Sequence, residues 1–83
     1  MDNFVRFLIE SIVNHPENVE IREDNNPDGS ITIWIKSNPE DIPLVIGKGG
    51  KNIRAIRNLA RLKASIMGKN IRVQLEEDNM PQS

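Results

Sequence analysis

The chain is predicted to fold as an α+β domain of two layers, a three-stranded sheet with its helices packed on one face. Three observations carry that prediction. Residues 18–24, 30–36 and 70–76 alternate apolar and polar side chains, the pattern of strands with one buried face. Residues 2–14 and 51–67 instead repeat apolar side chains every three or four positions, the pattern of amphipathic helices. The resulting order is helix, strand, strand, helix, glycine turn, helix, strand, and three strands sharing one isoleucine-rich face call for helices layered on that side. With 83 residues there is room for one domain, placed at 1–78, followed by a polar, frayed tail at 79–83. A chain this short buries only about 60% of its unfolded surface, so its core is thin and a large internal active site is not expected.

The first helix is predicted from Asp2 to about Asn14. Asp2 or Asn3 can cap it, and Phe4, Leu8 and Ile12 with Val5, Ile9 and Val13 form its buried stripe. Phe7 widens the apolar arc, which core packing accounts for, with a self-association surface as the alternative. Pro16 disfavours helix at His15 and stops it there. Next, Val19, Ile21 and Glu23 alternate with Glu20, Arg22 and Asp24, and Ile31, Ile33 and Ile35 alternate with Thr32, Trp34 and Lys36. Asn25-Asn26-Pro27-Asp28-Gly29 between them is dense turn chemistry, so the pair is a hairpin. Trp34 falls on the face opposite the isoleucines. A base stacked on it, a dimer contact or cover from a neighbouring loop would each place it there.

Ser37-Asn38-Pro39-Glu40-Asp41 is a helix start, with a capping side chain, proline at the first position and acids in the first turn. A helix from Asn38 to Ile46 would carry Pro43 in its interior at about 3 kcal/mol, a cost that a start near Asp41 relieves. The longest helix runs from Lys51 to about Met67. Ile53, Ile56, Leu59, Ala60, Ala64 and Met67 are assigned to its apolar face, and Arg54, Arg57 and Arg61 to the opposite side with Lys51 at its edge. Lys63 projects from the apolar face and must snorkel. Gly68 stops the helix. The last strand turns Ile71, Val73 and Leu75 inward.

Between the two C-terminal helices lies Val45-Ile46-Gly47-Lys48-Gly49-Gly50-Lys51-Asn52-Ile53. Glycines at 47 and 50 frame a tight turn, Gly49 adds a third residue free to take positive φ, and outward amides at the following helix suit a phosphate. A P-loop is excluded because Asn52 follows Gly50-Lys51 and Val45 holds the first-glycine position. A dinucleotide fingerprint from Gly47 fails at Asn52. Ile-Gly-x-x-Gly-x-x-Ile is instead the signature of KH domains, whose loop clamps a single-stranded nucleic acid backbone. The formal net charge is -1, yet all 12 acidic residues lie in 2–41 and 76–78. Segment 42–75 has none and holds eight of the 11 basic residues: Lys48, Lys51, Arg54, Arg57, Arg61, Lys63, Lys69 and Arg72. Local field rather than total charge governs polyanion binding, and arginines at helical spacing without interleaved glutamates favour a binding face over a merely solvated one. Cysteine is absent and His15, beside a proline, is the single histidine, so neither a metal site nor a nucleophile–base pair is expected, nor any cofactor. No signal peptide or membrane-spanning apolar run is seen, and a soluble, intracellular protein is expected.

The resemblance extends beyond the loop. Asn14-His15-Pro16-Glu17, Pro39-Glu40-Asp41, Val45-Ile46-Gly47-Lys48 and Ala55-Ile56-Arg57 stand where the small bacterial KhpA (YlqC-like) proteins carry much the same residues, and the element order resembles their type II KH arrangement, α-β-β-α-α-β. The resemblance implies a non-catalytic cytoplasmic protein that binds short single-stranded RNA as a post-transcriptional regulator or RNA chaperone. In that arrangement Gly47, Lys48, Gly49 and Gly50 hold the sugar–phosphate backbone and Ile46 and Ile53 floor the groove. Lys51, Arg54 and Arg57, continued by Arg61, contact phosphates or bases. It also implies a homodimer, or a heterodimer with a larger Jag-type KH protein, and no membrane partner. The alternative is a dimerisation module with weak RNA contact. This chain departs from the family in Pro43, and in Gly49, where a bulkier polar residue is common and whose flexibility should loosen the turn.

Overall fold

The computed structural model describes residues 2–76, and the expected tail at 79–83 lies outside them. In chain order the elements are α1 (Asp2–Glu10), β1 (Glu20–Asn25), β2 (Ile31–Lys36), α2 (Ile42–Ile46), α3 (Lys51–Ile66) and β3 (Ile71–Glu76), with 3-10 turns at Pro16–Asn18, Pro39–Asp41 and Lys48–Gly50. The sheet order is β1-β2-β3, with β1 antiparallel and β3 parallel to β2. Ile31, Ile33 and Ile35 of the central strand face the helices and, with Val19, Ile71 and Val73, meet Val5 and Ile9 of α1, Val45 of α2, and Ile53, Ile56, Ala60 and Ala64 of α3 in one core. The hairpin turn is closed by Asp28, whose Oδ1 accepts from the Ser30 hydroxyl and amide, and these bonds hold its carboxyl below the ordinary range.

α1 is shorter than its apolar pattern. It ends at Glu10, where the Ser11 hydroxyl and amide both donate to the Phe7 carbonyl at 2.7 and 3.1 Å. Serine back-bonding of this kind competes with the regular ladder and bends helices. Ile12 and Val13 still pack against the core, but from irregular chain. Of the two proposed caps, the Asp2 side chain lies outside what the structure describes, and Asn3 sits within the helix.

The segment before the glycine turn resolves as two short pieces. Asn38 caps the first, its Oδ1 accepting from the Glu40 amide at 2.9 Å. The second starts at Ile42, so Pro43 occupies the first turn, where its missing N–H removes no helical bond. Asp41 joins them and is 1% exposed. Its Oδ2 accepts the His15 amide at 2.9 Å, while its Oδ1 has no partner among the described residues. Around this bond the His15 ring stands 3.5 Å from Glu40 and 3.8 Å from Glu17, and Asn38 Nδ2 donates to Asn18 Oδ1 at 3.1 Å. Segments 14–17 and 39–41, remote in sequence, are therefore one contact, which seats the N-terminus of α2.

Asp41→Ala leaves the His15 amide without its acceptor and is expected to cost about 1–3 kcal/mol in urea unfolding. Asp41→Asn keeps an acceptor and should cost less; equal losses would place the stabilisation in the charge instead of the hydrogen bond.

Candidate nucleic-acid interface

The glycine turn is fixed by backbone conformation at three points: Gly47 (φ 77, ψ 168), Gly49 (φ 64, ψ 19) and Gly50 (φ 76, ψ 15). The three are not equivalent. A Cβ at Gly47 would lie 2.6 Å from Asn52 Cγ and 2.8 Å from the Asn52 amide nitrogen, whereas at Gly49 or Gly50 it would meet nothing within 4 Å. Gly47 is thus required by space as well as by φ; the other two only by φ. Asn52 closes the turn from below by donating its Nδ2 to the Leu44 carbonyl at 2.7 Å, which ties the first turn of α3 to the last of α2. Gly47 and Gly50 amides are taken up by Pro43 and Gly47 carbonyls, and that of Lys51 by Lys48. The amides of Lys48 and Gly49, at the crown, are the first two of the 3-10 turn and lie ahead of its first internal acceptor. Successive N–H groups at the start of a bend built on glycines are the kind of concavity that suits an anion.

Arg54, one turn into α3, reaches back and donates to the Gly49 carbonyl at 3.0 Å, which brings its guanidinium to the mouth of the turn. Lys48 and Lys51 are exposed beside it. Arg57 is half-buried and its Nε donates to the Val73 carbonyl at 3.2 Å. Because β3 is an edge strand, that carbonyl points away from β2 and would otherwise face solvent. Arg61 follows, exposed, near the start of β3. The three arginines therefore do not lie opposite the core, as the helical-face assignment had them. Arg57 and Arg61 lie on the flank of α3 that faces the open edge of β3, and Arg54 continues that flank to the glycine turn. None of Lys48, Lys51, Arg54, Arg57 and Arg61 forms an ion pair with a described residue. Of the two isoleucines assigned to the groove floor, Ile46 is half-buried at the end of α2, and Ile53 is 7% exposed and belongs to the core.

The pole of α3 opposite the core is apolar. Ala55, Leu59, Leu62 and Ile66 recur at spacings of four, three and four, and all are exposed, Leu62 to 60% and Ile66 to 79%. Leu59 and Met67, assigned to the buried face, are exposed, because the core stripe is Ile53, Ile56, Ala60 and Ala64 alone. The signal was available in the sequence as a second apolar series out of phase with the first. Lys63 snorkels between them, with Nζ 5.3 Å from the Phe4 ring centroid. Trp34 is on the outer sheet face, under the Arg22 guanidinium at 5.4 Å and donating its Nε1 to Asp24 Oδ2 at 3.0 Å. Its cover thus comes from β1, not from a loop, on the side of the sheet away from the glycine turn. Among the described residues no group of three His, Asp or Glu could hold a metal ion, and no helix is long and apolar enough to cross a membrane.

Residues 2–79 match the family model described as KhpA/KhpB, KH domain. The RNA-binding protein KhpA of Leifsonia xyli is 32% identical over 71 residues, covering 86% of this chain and 90% of the relative. The RNA-binding protein KhpA of Listeria monocytogenes is 34% identical over 77 residues, 93% of this chain and all of the relative, and that of Clostridium perfringens is 36% identical over 76 residues, 92% and 97%. Among solved structures, Era of Aquifex aeolicus bound to GDP and AlF4 superposes with a TM-score of 0.60 at 21% identity, over 89% of this chain and 28% of that one. A structure of Era in complex with MgGDPNP and a segment of 16S ribosomal RNA gives the same values. At that identity the likeness to Era is one of fold.

Gly47→Ala is expected to lose about 1–3 kcal/mol to backbone strain alone, with the overlap on Asn52 in addition, and to lower the thermal midpoint sharply. Gly49→Asn, in open space and in a conformation asparagine visits, should remain within about 1 kcal/mol of the parent in the same melt.

Proposed function

The chain belongs to the KhpA/KhpB KH-domain family, and on that premise we propose that it is a non-catalytic protein that grips single-stranded RNA between the glycine turn and the basic flank of α3. The observation that carries this reading is the glycine turn, whose crown residues Lys48 and Gly49 open a 3-10 turn at the head of five cations that form no ion pair with a described carboxylate. A phosphate at the crown accepts from their amides, with Lys48, Lys51 and the remaining donors of Arg54 around it. Along the flank, Arg57 and Arg61 follow the strand while Ile46 offers an apolar edge to a base, Ile53 supporting it from the core. Contacts of this kind go largely to the backbone, so binding is salt-sensitive, and a single groove of about four nucleotides binds weakly. The biological setting proposed is post-transcriptional regulation or RNA chaperoning in the bacterial cytoplasm.

Weak single grooves gain from pairing, and the Ala55, Leu59, Leu62 and Ile66 stripe supports a second KH subunit on α3, either another copy or a larger Jag-type KH protein. The stripe lies on the outward side of the helix that carries the arginines, so a partner there leaves the groove open. Reading the chain only as a dimerisation module leaves the acid-free flank unexplained.

Lys48→Asp with Gly49→Asp puts two carboxylates at the crown in a conformation aspartate tolerates. Circular dichroism should stay native while anisotropy binding of labelled single-stranded RNA weakens at least about tenfold; unchanged binding would move the site elsewhere. Leu62→Glu, at an exposed position, should shift sedimentation from dimer to monomer and weaken binding to long RNA through lost avidity. A wild-type monomer at high micromolar concentration would refute the paired form.

A further inference from the structure

We infer that the RNA path continues past the four-nucleotide clamp to a second anion site, where α3 ends and β3 begins, formed by Arg61, Ser65, Lys69 and Asn70. The inference rests on the RNA-binding reading above and lengthens its footprint.

A hollow of about 490 Å³ opens at this end of the groove, lined by Arg61, Ser65, Gly68, Lys69, Asn70 and Ile71. Its polar side chains are all exposed and all unengaged among the described residues: a guanidinium, an ammonium, a hydroxyl and a carboxamide, with no carboxylate paired to either cation. That donor set is suited to phosphate oxygens. The end of a helix is otherwise a poor place for an anion, since its free carbonyls carry about half a negative charge. Here the Lys69 and Gly68 amides donate to the Ala64 and Ser65 carbonyls at 2.8 and 3.0 Å, a Schellman closure, and two full positive charges outweigh what remains. Lys69 alone could be explained as a cation placed to favour the helix end. Arg61, more than a turn inside α3, could not, and it is the residue the hollow shares with the groove. About 16 Å of helix separates Gly50 from Arg61, with Arg54 and Arg57 on the same flank between them. A strand held at the glycine turn and laid along that flank is delivered to the hollow.

The test compares single-stranded RNA of four and eight nucleotides, of mixed sequence, against wild type, Lys69→Glu and, separately, Asn70→Asp, each checked by circular dichroism. The readout is the ratio of wild-type to variant affinity at each length, because the additional registers of the longer strand multiply both affinities equally. Both variants should bind the four-mer as wild type does. Each should bind the eight-mer more weakly, Lys69→Glu by about tenfold, with its salt slope reduced by about one. Equal loss at both lengths would make these residues part of the general field, and no loss at either length would leave the hollow empty of RNA; each result overturns the second site while the clamp stands. Failure of wild type to bind either RNA would instead overturn the RNA-binding reading itself.

Discussion

A side chain cannot be added at Gly47, and the arrangement of the C-terminal half follows from that. The residue sits where only glycine is comfortable, and Asn52 presses against the space a Cβ would take. Asn52 can press there because its own amide is bonded to the last turn of α2. One short interaction therefore ties the end of α2 to the first turn of α3, which begins at Lys51. Arg54 then locks the far side of the same bend through the Gly49 carbonyl. The turn is thus held from two sides.

α3 divides its circumference into three sectors. Ile53, Ile56, Ala60 and Ala64 are buried against the sheet; Arg54, Arg57 and Arg61 overhang the edge of β3; Ala55, Leu59, Leu62 and Ile66 face outward. The core sector is narrow because half of its residues are alanine, which lets the helix sit close to the strands and brings Arg57 within reach of Val73. A bulkier core stripe would lift the helix away from the sheet and open that contact. The division also keeps the basic flank and the apolar stripe on one helix without overlap.

Much of this was legible in the residues. Period-two alternation placed all three strands with the correct faces inward, since a strand's parity survives an error of one residue at its ends. The glycine turn was legible because positive φ has a sequence signature. What failed, failed for physical reasons. Helical periodicity marks which residues are apolar and not which are covered, so Leu59 and Met67 were placed with the core, and the arginines were set opposite it when they flank it. The end of α1 depended on a serine hydroxyl competing for a carbonyl four residues back, which apolar spacing does not register. Asp41, Asn52 and the Arg57 bond to Val73 join positions at least eight apart in sequence, and long-range hydrogen bonds of this kind leave no local pattern.

The parallel pairing of β3 with β2 has a consequence for how the chain is assembled. Parallel neighbours require a long crossover, here α2, the glycine turn and α3, so the central strand cannot gain its second partner until everything between them has been made. β3 contributes Ile71 and Val73 to the core and is the last described element. During synthesis the hairpin can close early, but it waits with one edge bare, and the basic flank of α3 has no strand beside it until β3 leaves the ribosome. The domain is thus all but complete in length before the flank of α3 and the edge of β3 can meet, which makes their junction the last part of the fold to form.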